Sequence, residues 1–419
     1  MDMKAEGDIV RPLAPTDHLI DDRRARRNAL VLGGANALYG GNISILFTLG
    51  SILGHSLADN KALATLPVSA IMVGTMLSTV PASMFMRRFD RRSGFTLGVG
   101  IGLVGVLIGL GAIYLQSFWL FCLAMLCSGT YQAFAQYYRF AAVDMASEAF
   151  KPRAIAWVLA GGIVAALMGP EILIWTREAV PGLPFAGTYF ACFGLGLLAL
   201  ALLRLVDIPA YTAAQKADSG RPLGDIMRQP TFIVAVACAM VSYSIMTMLM
   251  TATPLAMVMN SFTVDDAAFI VQWHLLAMFA PSFFTGRLIV RFGVLRIIMT
   301  GLALLMACGA VALSGVDIEH FWLALVLLGF GWNFAFIGAT DLLTDCYTTP
   351  ERNKTQAVND LLIFGTVAGA SFAAGGLLQG SGWAAVNLAL FPFVAAAAGL
   401  IVWLALYRRR VAIKPAPGR

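Results

Sequence analysis

The sequence predicts an all-α membrane protein of twelve transmembrane helices, arranged as two related six-helix bundles. Three observations predict this class: an apolar composition, the recurrence of long apolar runs, and a sequence repeat between the halves. Apolar residues make up 59% of the 419 positions and charged residues only 12%, with a mean hydropathy of +0.78. That leaves too little polar surface to cover a water-soluble globule of this size.

Apolar runs of about twenty residues, each enough for a helix to cross roughly 30 Å of hydrocarbon, recur along the chain. A polar tail, 1–27, comes first; it has no apolar core of the kind a signal peptide needs, so the first span is expected to anchor the chain itself. The N-terminal bundle, 28–206, holds spans expected near 28–53, 64–86, 94–114, 117–143, 153–175 and 185–205. A polar linker, 207–230, with Lys216, Asp218, Arg221, Asp225 and Arg228, breaks the pattern at mid-chain. The C-terminal bundle, 231–407, holds spans near 231–256, 265–290, 296–315, 320–344, 355–379 and 384–407, and a basic tail, 408–419, follows.

The basic residues test the span count, because Lys and Arg collect on the cytoplasmic side of a membrane protein. Twelve spans put Arg23, Arg24, Arg26, Arg27, Arg87, Arg88, Arg91, Arg92, Lys151, Arg153, the linker, Arg287, Arg291, Arg296, Arg352, Lys354 and Arg408–Arg410 on one side. Of 29 basic residues only Lys61 and Arg177 fall in loops on the other side, and Arg139 lies within a span. Both termini are therefore expected in the cytoplasm. The net charge of +6 is spread over short loops and forms no single patch, so no nucleic-acid partner is expected; membrane lipid is. Six cysteines, at 122, 127, 192, 238, 308 and 346, sit in or beside apolar runs without zinc-type spacing, and read as core residues.

Repetition comes next. Ala82-Ser-Met-Phe-Met-Arg87-Arg-Phe-Asp-Arg-Arg92 corresponds to Gly286-Arg-Leu-Ile-Val-Arg291-Phe-Gly-Val-Leu-Arg296, with both arginine matches 204 residues apart. Phe118-Trp119-Leu120 returns as Phe321-Trp322-Leu323, 203 residues on. The loop after the second span, with Asp90, and its copy after the eighth resemble the basic loop motif of the major facilitator superfamily. The fifth span, with Gly161-Gly162 and Gly169-Pro170, is similar to that superfamily's Gly-rich fifth helix, where small residues allow close helix approach. The resemblance covers residues 28–410. It implies a secondary transporter in a bacterial inner membrane that works by alternating access of two halves, is not an enzyme, and needs no cofactor. Arg87, Arg91 and Arg291 would form latches with neighbouring acids, Asp144 being a partner for Arg87 or Arg91; the same arginines also suffice as topology signals.

Polar groups inside the membrane are expensive and usually serve a path or a site. The first span carries Asn36, Tyr39 and Asn42 near one face; the fourth carries Gln132 and Gln136 one turn apart, then Arg139. Glu171 follows Pro170, Asn333 and Asp341 lie in the tenth span, and Asn359 with Asp360 starts the eleventh. Each amide could also be interhelical glue. As a set, Asn36, Tyr39, Asn42, Gln132, Gln136 and Asn333 suit a largely neutral, hydrogen-bonding solute, while Tyr131, Trp332 and Phe334 offer stacking surfaces. Glu171, His274 or Asp341 could carry a coupling proton; passive facilitation is equally compatible, and no P-loop points to ATP.

Met246 and Met250 in the seventh span are spaced i,i+4, as are His274 and Met278 in the eighth. Soft thioether and imidazole ligands at stepped depths suit Cu(I). Against this, 19 methionines in 419 residues give about one Met-x-x-x-Met by chance, and Met72 with Met76 is a second. Together with Phe279-Ala280-Pro281-Ser282-Phe283, the two motifs resemble the superfamily branch that contains RfnT-type riboflavin importers and bacterial copper importers. The resemblance places Met246, Met250, His274 and Met278 at copper-motif positions, and Cys238 at an upstream cysteine. Where the copper importers carry a Gly-Cys-Gly-like stretch, this sequence reads Met259-Asn260-Ser261. Loss of that thiolate, together with the amides and aromatics elsewhere, tips the expected cargo toward riboflavin, with a copper ion as the alternative. A membrane sensor or scaffold is the non-transporting reading.

Overall fold

The computed structural model describes residues 21–147, 150–208, 220–348 and 351–413, except for the side chains at 87, 151, 152, 353 and 411–413. Among the described residues there is no strand. The N-terminal half contains α1 (Asp22–Leu57), α2 (Leu66–Arg88), α3 (Arg91–Tyr114), α4 (Phe118–Ala135), α5 (Lys151–Thr176) and α6 (Ala186–Leu203). The C-terminal half contains α7 (Pro230–Met259), α8 (Val264–Phe279), α9 (Ser282–Phe292), α10 (Val294–Ser314), α11 (Ile318–Thr344), α12 (Arg352–Leu388) and α13 (Leu390–Ile413). Of the linker, residues 209–219 lie outside the described residues, and Leu223–Met227 forms a short helix.

Side-chain caps set several helix starts by supplying acceptors to unpaired backbone N–H groups. Asp21 accepts from the N–H groups of Arg23 and Arg24, so α1 begins ahead of the apolar run. Asp90, singled out as part of the basic loop, caps α3 by accepting from Ser93 N–H at 2.7 Å. Thr263 and Asp266 form a reciprocal capping box on α8. The fourth span is interrupted near its end: α4 stops at Ala135 and a single turn, Tyr138–Ala141, continues it, so that together they run Phe118–Ala141. The eighth is not straight. It bends by 41° between α8 and α9, where Pro281 has no N–H to continue the ladder.

Ten segments are long and apolar enough to cross a membrane, and the bent α8–α9 pair makes eleven. The last of the ten, Lys354–Arg410, has 57 residues. As one helix it would measure about 85 Å, nearly three times the hydrocarbon thickness. It crosses twice instead. Gly382 has φ 79° and ψ −177°, a backbone region essentially restricted to glycine, and breaks the helix there. Glu351 at its start pairs with Arg221, and Arg408 near its end reaches Asp345 and Thr231, so both ends lie on the basic face. Trp383 at the turn donates to Ala312 O near the opposite end of α10. Twelve crossings result.

The halves are built alike. Contacts α1–α5, α2–α4, α3–α4, α3–α6 and α1–α6 in the first recur as α7–α12, α8–α11, α10–α11, α10–α13 and α7–α13 in the second. The halves meet along α2–α12, α5–α8 and α1–α7, a seam with the same pseudo-twofold pattern. Small residues bring α1 and α5 together: a Cβ on Gly161 would stand 2.2 Å from Gly33 O.

Candidate functional site

The seam is tight on the face away from the basic loops. Arg177, after α5, pairs with Asp265 at the start of α8 at 2.6 Å, tying the halves there. Deeper in, Ser69 of α2 donates to Ser371 of α12 at 3.2 Å, and Thr251 of α7 meets the same hydroxyl at 3.2 Å. Toward the basic face one side of the seam parts: α5 runs along α8 but barely touches α9, which the Pro281 bend carries away, while on the other side Arg352 at the start of α12 stands over Phe140, 5.2 Å from its ring centre.

A cavity of about 200 Å³ lies between the halves. Asn36, Tyr39, Gln132 and Gln136 line it from the N-terminal half; Met246, Met250, His274, Met278 and Trp332 line it from the other. Asn36 donates to Val158 O at 3.0 Å, which fixes its amide on α5. One wall is aromatic: Trp332 stacks on Phe336 at 4.9 Å, and Tyr243 meets Trp332, Phe336 and Phe364 edge-on at 5.7, 5.2 and 5.6 Å.

His274 is fully buried, and its Nδ1 lies 2.9 Å from Leu325 O. Since the carbonyl can only accept, Nδ1 carries the proton and Nε2 the lone pair. That Nε2 has no partner among the described residues, nor do Gln132 Oε1, Trp332 Nε1 and Arg139 Nε. All four residues line the cavity. It therefore combines an aromatic wall with unpaired donors and acceptors, as sites for hydrogen-bonding ligands do.

Other residues singled out by sequence lie elsewhere. Asn42 points at Cys192 O, 3.5 Å away, between α1 and α6. Asn333 is fully buried and consumed by a network: it accepts from Thr285 Oγ1 at 2.6 Å and donates to Met278 O and Ser282 Oγ, both at 2.8 Å, holding α11 to the α8–α9 bend. Glu171 is exposed and accepts from Trp175 Nε1 at 3.2 Å, and Asp341 is exposed near the end of α11; neither lines the cavity. Tyr131 packs behind Tyr39, ring centres 5.2 Å apart, and Phe334 packs against Phe284 and Phe330.

At the basic face Arg91 donates through Nε to Asp144 Oδ2 at 3.0 Å. The Arg87 side chain lies outside the described residues. The repeat aligns Arg91 with Leu295, so the second half has no copy of this pair; Arg291 is exposed and stands over Phe292, 5.2 Å from its ring centre. The ion pair that binds the start of α12 is Arg221–Glu351, at 2.7 Å.

Arg139, read from sequence as lying within the fourth span, and Asp360, read as starting the eleventh, both face the cavity near its basic end, from opposite halves. Tyr243, Phe336 and Phe364 gave no signal in sequence, since aromatics abound in apolar runs; only the fold brings them to one wall.

The Major Facilitator Superfamily model matches residues 32–260 and 235–419. The chain is 48% identical over 379 residues to the riboflavin transporter RfnT of Brucella anthropi, covering 90% of this chain and 95% of that one. It is 29% identical to the uncharacterized MFS-type transporter YddS of Bacillus subtilis, covering 81% of each chain. Its fold is similar to that of a point mutant of the nucleoside transporter NupG, with a TM-score of 0.66 over 90% of this chain and 99% of that one, at 14% identity. Two like halves around a polar and aromatic cavity, and a family match along nearly the whole chain, lead to one conclusion: the protein belongs to the Major Facilitator Superfamily and is a multi-pass membrane transporter.

Proposed function

We propose that the protein imports riboflavin across a bacterial inner membrane by alternating access of its two halves, with the basic face and both termini in the cytoplasm. The observation that carries this reading is the cavity: an aromatic wall opposite Asn36, Gln132 and Gln136, in a chain 48% identical to a riboflavin transporter. Riboflavin is neutral, planar and polyhydroxylated. Its ring suits the Tyr243–Trp332–Phe336 wall, and its ribityl hydroxyls suit amides that both donate and accept. Tyr39 completes the polar side. Arg91–Asp144 is a latch on the basic face, and Arg177–Asp265 closes the opposite one. Among residues considered for proton coupling, only His274 reaches the cavity.

A second reading has a specific observation behind it. Met246, Met250, Met278 and His274 converge on this same cavity, and the unpaired Nε2 of His274 is the atom a soft metal ion would take. Copper(I) as cargo is therefore tested alongside.

The test is uptake of labelled riboflavin into a riboflavin-auxotrophic bacterium that lacks its own importer, with and without this protein, beside labelled copper under reducing conditions. Riboflavin uptake that persists in the M246L/H274L variant makes the soft ligands structural. Copper uptake without riboflavin uptake overturns the flavin reading and makes those residues the transport path.

A further inference from the structure

Arg139 and Asp360 form the charged pair of the cavity lining, one from each half. Placing two charges in a membrane interior is expensive unless they are used. Neither is used up locally. Arg139 stacks over Phe140 at 4.8 Å, but its Nε has no hydrogen-bond partner among the described residues. Asp360 accepts from its neighbour Asn359 at 3.0 Å, which leaves lone pairs free on a carboxylate with about four. Among the described ion pairs, which reach to 4.0 Å, there is none between Arg139 and Asp360. Tyr243, from the aromatic wall, lines the same cavity.

A guanidinium and a carboxylate that face one space without touching present donors beside acceptors. The matching ligand edge is planar and carries an N–H next to a carbonyl, as a cyclic imide does. A simple anion or cation would satisfy one partner and repel the other. Resting on the riboflavin reading, we infer that Arg139 and Asp360 clamp the imide edge of the flavin ring: Asp360 accepts from the ring N3–H, and Arg139 donates to a flanking carbonyl. The ring then lies along the Tyr243–Trp332–Phe336 wall. Because the two residues belong to opposite halves, a bound ring draws the halves together at the basic end of the cavity.

The test compares riboflavin with 3-methylriboflavin, which is also neutral but lacks the imide proton, in uptake by the wild-type protein, D360A and R139Q. A hydrogen bond to a charged group contributes about 1.5–3 kcal/mol, so methylation should raise the half-saturating concentration in wild type by about tenfold or more. In D360A the two flavins should differ by less than about threefold. A structural role for Asp360 would weaken both flavins alike and preserve their ratio, which overturns the clamp. Should D360A fail to reach the membrane, the wild type still decides: equal handling of the two flavins overturns the clamp while leaving riboflavin transport intact. R139Q should weaken both flavins while keeping part of the methyl discrimination; unchanged riboflavin uptake in R139Q also overturns it. Wild-type protein that takes up no riboflavin sinks the flavin reading itself, and the clamp with it.

Discussion

Glu351 is 1% exposed and accepts from Arg221 N, Arg221 Nε, Arg221 Nη2 and Thr348 N at 2.8, 2.7, 2.8 and 2.9 Å. The Arg221 guanidinium, followed by the Thr348 N–H, holds its carboxyl well below the ordinary value of 4.5. A depressed folded-state value means that the stabilisation is complete above the ordinary value and is lost as pH falls through the depressed one. The purified protein should therefore melt at lower temperature in acid. E351Q should melt below wild type near neutrality, with the gap closing as pH drops beneath 4.5; a gap independent of pH would show that the pair adds nothing through charge. Asn333 makes a second prediction at this scale. N333L strips three hydrogen bonds from a buried network and leaves Met278 O and Ser282 Oγ short of partners, at about 1–3 kcal/mol for each group left unsatisfied, while the Thr285 hydroxyl keeps Pro281 O as its acceptor. Loss of thermal stability without loss of affinity in the surviving protein is the expected result, because Asn333 does not line the cavity.

At the scale of the element, α1 and α5 approach through Gly33 and Gly161 with no space for a side chain. G161A places a methyl group against backbone, which cannot rotate away, and overpacking of this kind costs about 1–3 kcal/mol or more. By contrast, a Cβ on Gly100 of α3 meets nothing within 4 Å. Size-exclusion profiles should show G161A aggregated or depleted and G100A like wild type; equal behaviour would refute the close-contact account. Helices were largely legible in the sequence because a span needs only length and apolarity, and the Gly-rich character of the fifth already announced a close neighbour. The Pro281 bend was less so. Its residues stood in a recognised motif, yet a 41° turn depends on which partner each half of the span packs against.

For the whole molecule, the proposed alternating access requires the seam away from the basic face to part in every cycle. Ser69 and Ser371 have their hydroxyls 3.2 Å apart across that seam. Oxidation of an S69C/S371C variant should arrest uptake, and a reductant should restore it; continued transport by fully cross-linked protein would rule out opening there. The twofold plan could be read from arginines recurring 204 residues apart, whereas the cavity could be read only in part. Asn36, Gln132 and Gln136 stood out as amides in apolar runs. Asn42 and Asn333 stood out equally and proved to be helix ties, because sequence gives a residue's depth but not the neighbour it faces. The plan also constrains how the chain is made. The final two crossings are separated by a reversal at Gly382 and no hydrophilic loop, so they expose nothing chargeable by which the insertion machinery could hold one helix while placing the next. The two are therefore expected to leave the translocon as a single helical hairpin. Synthesis halted at Gly382 would leave the crossing before it without its return helix, so the pair should insert together.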